Sequence, residues 1–145
     1  MSYNEINLGV RRLVLLEPLT IGAAVSATVT TPRTDLGGAN YLTVCAVFLY
    51  GAGGTDVIAR VQTSVDGGLS WFDIMSFGFL VAASTKVSAI ATNLAAAVPT
   101  LVTDGTLAVN TVNQGLLGDR IRLKYVTTGT YTGATSLAVY AIAKD

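Results

Sequence analysis

DVIARVQTSVDGGLSWFDIMSF, Asp56 to Phe77, reads as two extended segments joined by a short turn that holds two consecutive glycines, which is the signature of a β-hairpin. The same grammar runs along the whole chain. Hydrophobic periodicity is two far more often than 3.6, and the turns are rich in glycine, threonine, asparagine and aspartate. Strands are expected at Val10–Leu16, Ala23–Thr30, Tyr41–Tyr50, Val57–Ser64, Ser70–Phe77, Lys86–Ala91, Leu107–Val112, Arg120–Thr127 and Ser136–Ala143. Segments of this number and spacing predict an all-β, single-domain antiparallel β-sandwich or jelly roll of about eight to nine strands.

Two segments indicate which faces need cover. In RIRLKYV the cations Arg120, Arg122 and Lys124 alternate with Ile121, Leu123 and Tyr125, so one face is expected wet and the other in the core. In YLTVCAVFLY both alternate sets are apolar: Leu42, Val44, Ala46 and Phe48 on one side, Cys45, Val47 and Leu49 on the other. Such a strand calls for cover from the opposite sheet and from a loop, an arm or a neighbouring subunit.

The turn SVDGGLSW matches Ser-x-Asp-x-Gly-x-x-Trp and so resembles the Asp-box of sialidase-like propellers. Each residue type has a mechanical task. Asp66 can accept hydrogen bonds from N–H groups of the turn, Gly67 and Gly68 supply positive φ, and Ser64 adds a local bond. Trp71 is expected to fold back over the turn and shield those bonds. At 145 residues the chain is far too short for a propeller of six blades at roughly 40–50 residues each, so the box is read as a structural staple.

Composition removes several functional classes. Nine acidic and nine basic residues give zero formal charge with no basic stripe, which argues against nucleic acid and anionic membranes. Histidine is absent, and the lone Cys45 sits in an apolar run, where a buried thiol is expected. Asp56, Asp66, Asp73, Asp104 and Asp119 could in principle pair for glycoside hydrolysis, but turn-making accounts for most of them. GAGGTD lacks the lysine of a phosphate-binding loop and precedes a strand. No catalytic residue, cofactor or metal is expected. Apolar residues make up 51% and charged residues 12%, little polar material for the surface of a monomer, so a homo-oligomer, dimer or trimer, is expected.

MSYNEINLGVRRLVLLEPLT carries only a short apolar stretch, Leu13 to Leu16, too short for a signal peptide core or a membrane span. Synthesis in a cytoplasm is the expectation. Ala95 to Ala97 has helix propensity that Pro99 cuts short, leaving a single turn or an apolar loop. The chain is one domain, divided into an N-terminal arm with the first strands (1–35), offered for docking, and a sandwich core (36–145). Arg11, Arg12, Leu13, Val14, Leu15 and Leu16 are the proposed contact with a partner, because apolar edge segments template pairing with another chain.

YLTVCAVFLYGAGGTDVIARVQTSVDGGLSWFDIMSFGF and GLLGDRIRLKYVTTGTYTGATSLAVYAIAKD together resemble small virion proteins encoded by tailed bacteriophages and prophages beside their head genes. The resemblance implies a non-enzymatic head decoration or cement protein, made in the host bacterial cytoplasm and carried on the capsid surface, whose partner is the major capsid protein. Rivals are a neck or tail component of the same virion and a carbohydrate-binding sandwich. The last would need exposed aromatics, for which Tyr3, Tyr50, Trp71, Phe79 and Tyr131 are the candidates.

Overall fold

In the computed structural model, which describes residues 9–36, 38–94 and 99–145, the alternating segments form strands. They are β1 (Val10–Thr20), β2 (Val25–Val29), β3 (Tyr41–Leu49), β4 (Ala52–Gly53), β5 (Asp56–Ser64), β6 (Phe72–Phe79), β7 (Ser84–Ala91), β8 (Arg120–Thr128), β9 (Tyr131–Thr132) and β10 (Ser136–Lys144). The eight long strands build two antiparallel sheets, one ordered β1-β10-β3-β7 and the other β2-β8-β5-β6, while β4 and β9 pair only with each other. Leaving that short pair aside, the first strand bonds to the last, the second to the second last, the third to the third last, and the middle two to each other. A single long hairpin folded over itself gives this order, which is the wrapping of a jelly roll.

Between the sheets the inward sets of the long strands fill the core, except that β2 adds nothing to it and β7 only Ile90. Leu42, Val44, Ala46 and Phe48 of β3 meet Val57, Ala59 and Val61 of β5, with Leu137, Val139 and Ala141 of β10 and Ile121 and Leu123 of β8 around them. The Phe48 ring stacks on Phe79 at 5.1 Å and takes the edge of Tyr131 at 5.8 Å. Tyr131 donates its hydroxyl to the Leu80 carbonyl at 2.8 Å, so the buried phenol is satisfied.

Two expected strands are corrected. Leu107–Val112 is not a strand. Asn110 takes a φ of +61°, which breaks extended backbone, and a lone bridge from Val112 to Met75 replaces a ladder. The segment Ser70–Phe77 enters its strand only at Phe72, because Ser70 and Trp71 still belong to the turn. The helical expectation falls on residues outside those described, after a short 3-10 turn at Thr92–Leu94.

The largest correction concerns the N-terminal arm. Residues 1–8 lie outside the described chain, but β1 is no detachable segment: it runs the length of its sheet, paired with β10 from Val10↔Lys144 to Thr20↔Ser136. Leu13 and Leu15 are 1% and 4% exposed and belong to the core, Leu16 packs against it, and only Arg12 and Val14 of the proposed contact turn fully outward. Arg11 is tied back to the Leu36 carbonyl and, at 2.8 Å, to the Asp145 carboxylate. Boundaries at 35/36 therefore cut through both sheets. Leu13→Ala should cost about 2–5 kcal/mol by cavity formation in chemical denaturation. Deletion of residues 1–17 should abolish the cooperative transition, because it strips the partner from β10 along with both core leucines; a truncated chain that melts as sharply as the full one would contradict this packing.

Candidate functional site

The hairpin turn folds as its residue types require. Ser64 donates its hydroxyl to Asp66 Oδ1 at 2.8 Å and accepts the Gly68 N–H at 2.9 Å. Asp66 accepts the Ser70 N–H at 2.9 Å and the Ser70 hydroxyl on its other oxygen. Gly67 and Gly68 adopt φ of +75° and +92°, which L side chains rarely tolerate. Trp71 turns back to donate its indole N–H to the Gly68 carbonyl at 3.1 Å, and the Arg122 guanidinium lies 4.4 Å over its ring. Arg120 adds a bond to the Gly67 carbonyl at 3.0 Å. The staple leaves the Val65 and Leu69 side chains pointing into water, 69% and 89% exposed.

The charged face of β8 is roofed, contrary to the wet face that RIRLKYV suggests. Arg122 donates to Gln62 Oε1 at 2.9 Å, and Lys124 reaches Asp104 at 2.8 Å from the loop that follows Pro99. Gln62, itself buried, spends its two amide hydrogens on Asp73 at 2.9 Å and Asp104 at 2.7 Å. The hub is Asp73. Its carboxylate, fully buried on β6, accepts the Gly105, Thr106 and Leu107 N–H groups at 2.8 to 3.0 Å and the Thr103 hydroxyl at 2.8 Å. A turn-making reading of its sequence missed this role. The available signal was a lone charge inside the apolar strand SWFDIMSF. Lys124, through its hydrogen bond, holds the Asp104 carboxyl below the usual carboxylate range, and burial lowers the Arg122 pKa against the pull of Asp104.

Among the described residues, the outer face of the β1-β10-β3-β7 sheet has no such roof. Cross-strand register lines up Val14, Tyr140, Cys45 and Val87 in one row and Arg12, Ile142, Thr43 and Ala89 in the next. Val87 is 63% exposed, and Val14, Tyr140, Ile142, Tyr41 and Leu49 are also open to water. Cys45 is half-buried, with its neighbours forming a shallow apolar trough of about 410 Å³ between β1 and β3. The second apolar set of YLTVCAVFLY is thus left uncovered by the described chain.

The aromatic candidates scatter. Phe79 and Tyr131 are core residues, Tyr50 and Trp71 are half-buried, Tyr3 lies outside the described residues, and the exposed rings are Tyr41 and Tyr140. Asp56, Asp66, Asp73 and Asp104 likewise meet no common pocket: Asp73 is enclosed by the loop, Asp66 by its own turn. Among the described residues no group of three or more His, Cys, Asp or Glu side chains is placed to hold a metal ion, and no helix is long and apolar enough to cross a membrane.

Two outcomes follow from the turn and the hub. The Ser70 hydroxyl, the Ser70 N–H and the Ser64 hydroxyl bring the Asp66 carboxyl from 3.8 down to about 2. A carboxyl depressed by folding stabilises above its unfolded value and loses that contribution as pH falls from about 4 toward 2, so this part of the acid destabilisation should vanish in Asp66→Asn, read from melting temperature against pH. Asp73→Ala strands three backbone N–H groups together with the Gln62 amide and should cost roughly 3–5 kcal/mol, with new protease cuts between Pro99 and Asn113. Retention of the wild-type digestion pattern would show that the loop is held by other contacts.

No protein-family model matches the chain, and no curated protein matches it. Function must be read from the geometry just described.

Proposed function

We propose that the protein is a non-enzymatic structural component of a bacteriophage virion, a head decoration or cement protein that clamps neighbouring subunits of the major capsid protein. The observation that carries this reading is apolar surface that rigid parts of the fold hold in water. One such surface is the outer face of β1, β10, β3 and β7; the other is the stapled turn with Val65 and Leu69 at its tip. Large uncovered apolar patches on a small domain mark surfaces that another protein covers. A clamp works by adding buried area between shell subunits, at about 25 cal/mol per Å², and needs stiffness where it touches. The turn provides it, since Ser64, Asp66 and Trp71 fix the backbone from which the two aliphatic side chains project.

The test strips heads of this protein and adds back either the natural chain or Leu69→Asp, a substitution at an exposed tip that should leave the melting temperature unchanged. Natural protein should restore occupancy and the resistance of filled heads to heat, whereas Leu69→Asp should bind at least tenfold more weakly. Heads that take up neither form, beside tails or necks that do, would move the protein to that part of the virion. Binding to a glycan array with no virion binding would support a carbohydrate module instead.

A further inference from the structure

The uncovered sheet face has a charge pattern and a size that select its occupant, and we infer that it is covered by the same face of a second copy of this chain. The inference rests on the reading of the protein as an assembly component and specifies which of its two apolar surfaces faces its own kind. The centre of the face carries no charge: the row Val14, Tyr140, Cys45, Val87 is flanked by Ile142, Thr43 and Ala89 on one side and Ala138, Val47 and Thr85 on the other. Cations sit toward one end only, as Arg12 and Lys144. Toward the opposite end of β1 lies the exposed acid Glu17, in the register shift between Leu16, paired with Val139, and Leu19, paired with Leu137.

A two-fold axis laid along the central row, across the strands, turns this polarity into complementarity. Arg12 then faces Glu17 of the second copy, and the reverse contact repeats it. Ile142 meets the small Ala138, Tyr41 meets Leu49, and Thr43 meets Val47, while Val14, Tyr140 and Val87 on the axis each meet their own counterpart. Rotation about an axis parallel to the strands would instead bring the Arg12 and Lys144 ends of both copies together. The shell contact gains nothing from this face's internal two-fold match, which is the property an isologous interface needs. Four strands about 4.8 Å apart and about nine residues long, at about 3.3 Å per residue, give roughly 570 Å² of flat face per copy, so the pair comes close to the lower bound of about 1,200 Å² for specific interfaces.

Stacked sheets lie about 10 Å apart, which places the two Cys45 residues near the axis, too distant for a direct disulfide and within reach of a short bis-maleimide. The experiment uses the natural chain and three variants, Glu17→Arg, Arg12→Glu and the double exchange. Sedimentation equilibrium should find a dimer for the natural chain, at least tenfold weaker dimerisation for each single variant, and recovery in the double exchange. Bis-maleimide should join the natural chains through Cys45, and Tyr140→Lys should abolish both dimer and cross-link while circular dichroism shows the fold retained. A monomer at micromolar concentration, or a dimer insensitive to these exchanges with Cys45 freely alkylated and never cross-linked, overturns the inference. Head binding is scored separately: a monomer that still decorates heads refutes the dimer and spares the clamp, and a dimer that no virion part binds does the reverse.

Discussion

A carboxylate removed from water must be met by donors, and Asp73 meets this demand with backbone N–H groups that lie more than thirty residues along the chain. That one arrangement separates the two outer faces of the sandwich. By seizing Gly105, Thr106 and Leu107, Asp73 draws the segment after Pro99 across β6 and β5, where Asp104 pairs with Lys124 and bonds Gln62, whose amide oxygen accepts from Arg122. The same loop occupies the free edge of β6, with the Asp73 N–H bonded to Thr103 and the Ser76 N–H to Thr111. An edge strand whose N–H groups are already spent cannot recruit another chain. The β6 edge and the charged face of β8 are therefore covered within the subunit, whereas among the described residues nothing covers the outer face of the other sheet.

How far the sequence led follows from the range of each interaction. Alternation is local, so eight of nine expected strands were legible, including the two-sided character of YLTVCAVFLY that the structure resolves into a buried set and an uncovered one. The Asp-box was legible for the same reason, since its bonds join residues within four positions of one another. Asp73 was not, because its partners lie more than thirty residues along the chain and nothing local shows which donors meet its carboxylate. RIRLKYV misled in a related way. Its alternation correctly separated core from periphery but carried no information about a roof built from another part of the chain.

The N-terminal reading failed through a different cause. Leu13 to Leu16 looks like one block of apolar surface, but period two divides it: Leu13 and Leu15 on one face, Val14 on the other, with a bulge after Val14 that turns Leu16 back toward the core. The distinction matters for function. A detachable arm would let the subunit grip a neighbour by a flexible tether, whereas an integral edge strand makes its contact part of a rigid face.

Rigidity is what connects the staple to the clamp. A side chain held out in water loses little further conformational entropy on docking if its backbone is already fixed, so less of the contact energy is spent on ordering. Val65 and Leu69 project from a turn whose backbone is held by Ser64, Asp66, Trp71 and Arg120 at once. The uncovered sheet gains the same advantage from its ladders, because the residues of its central row are registered across four strands. On the proposed reading, a motif that works as a folding device in the hairpin would serve adhesion as well. The position of its aliphatic residues, between the serine, aspartate, glycine and tryptophan that make the staple, allows the contact to vary while the turn beneath it stays the same.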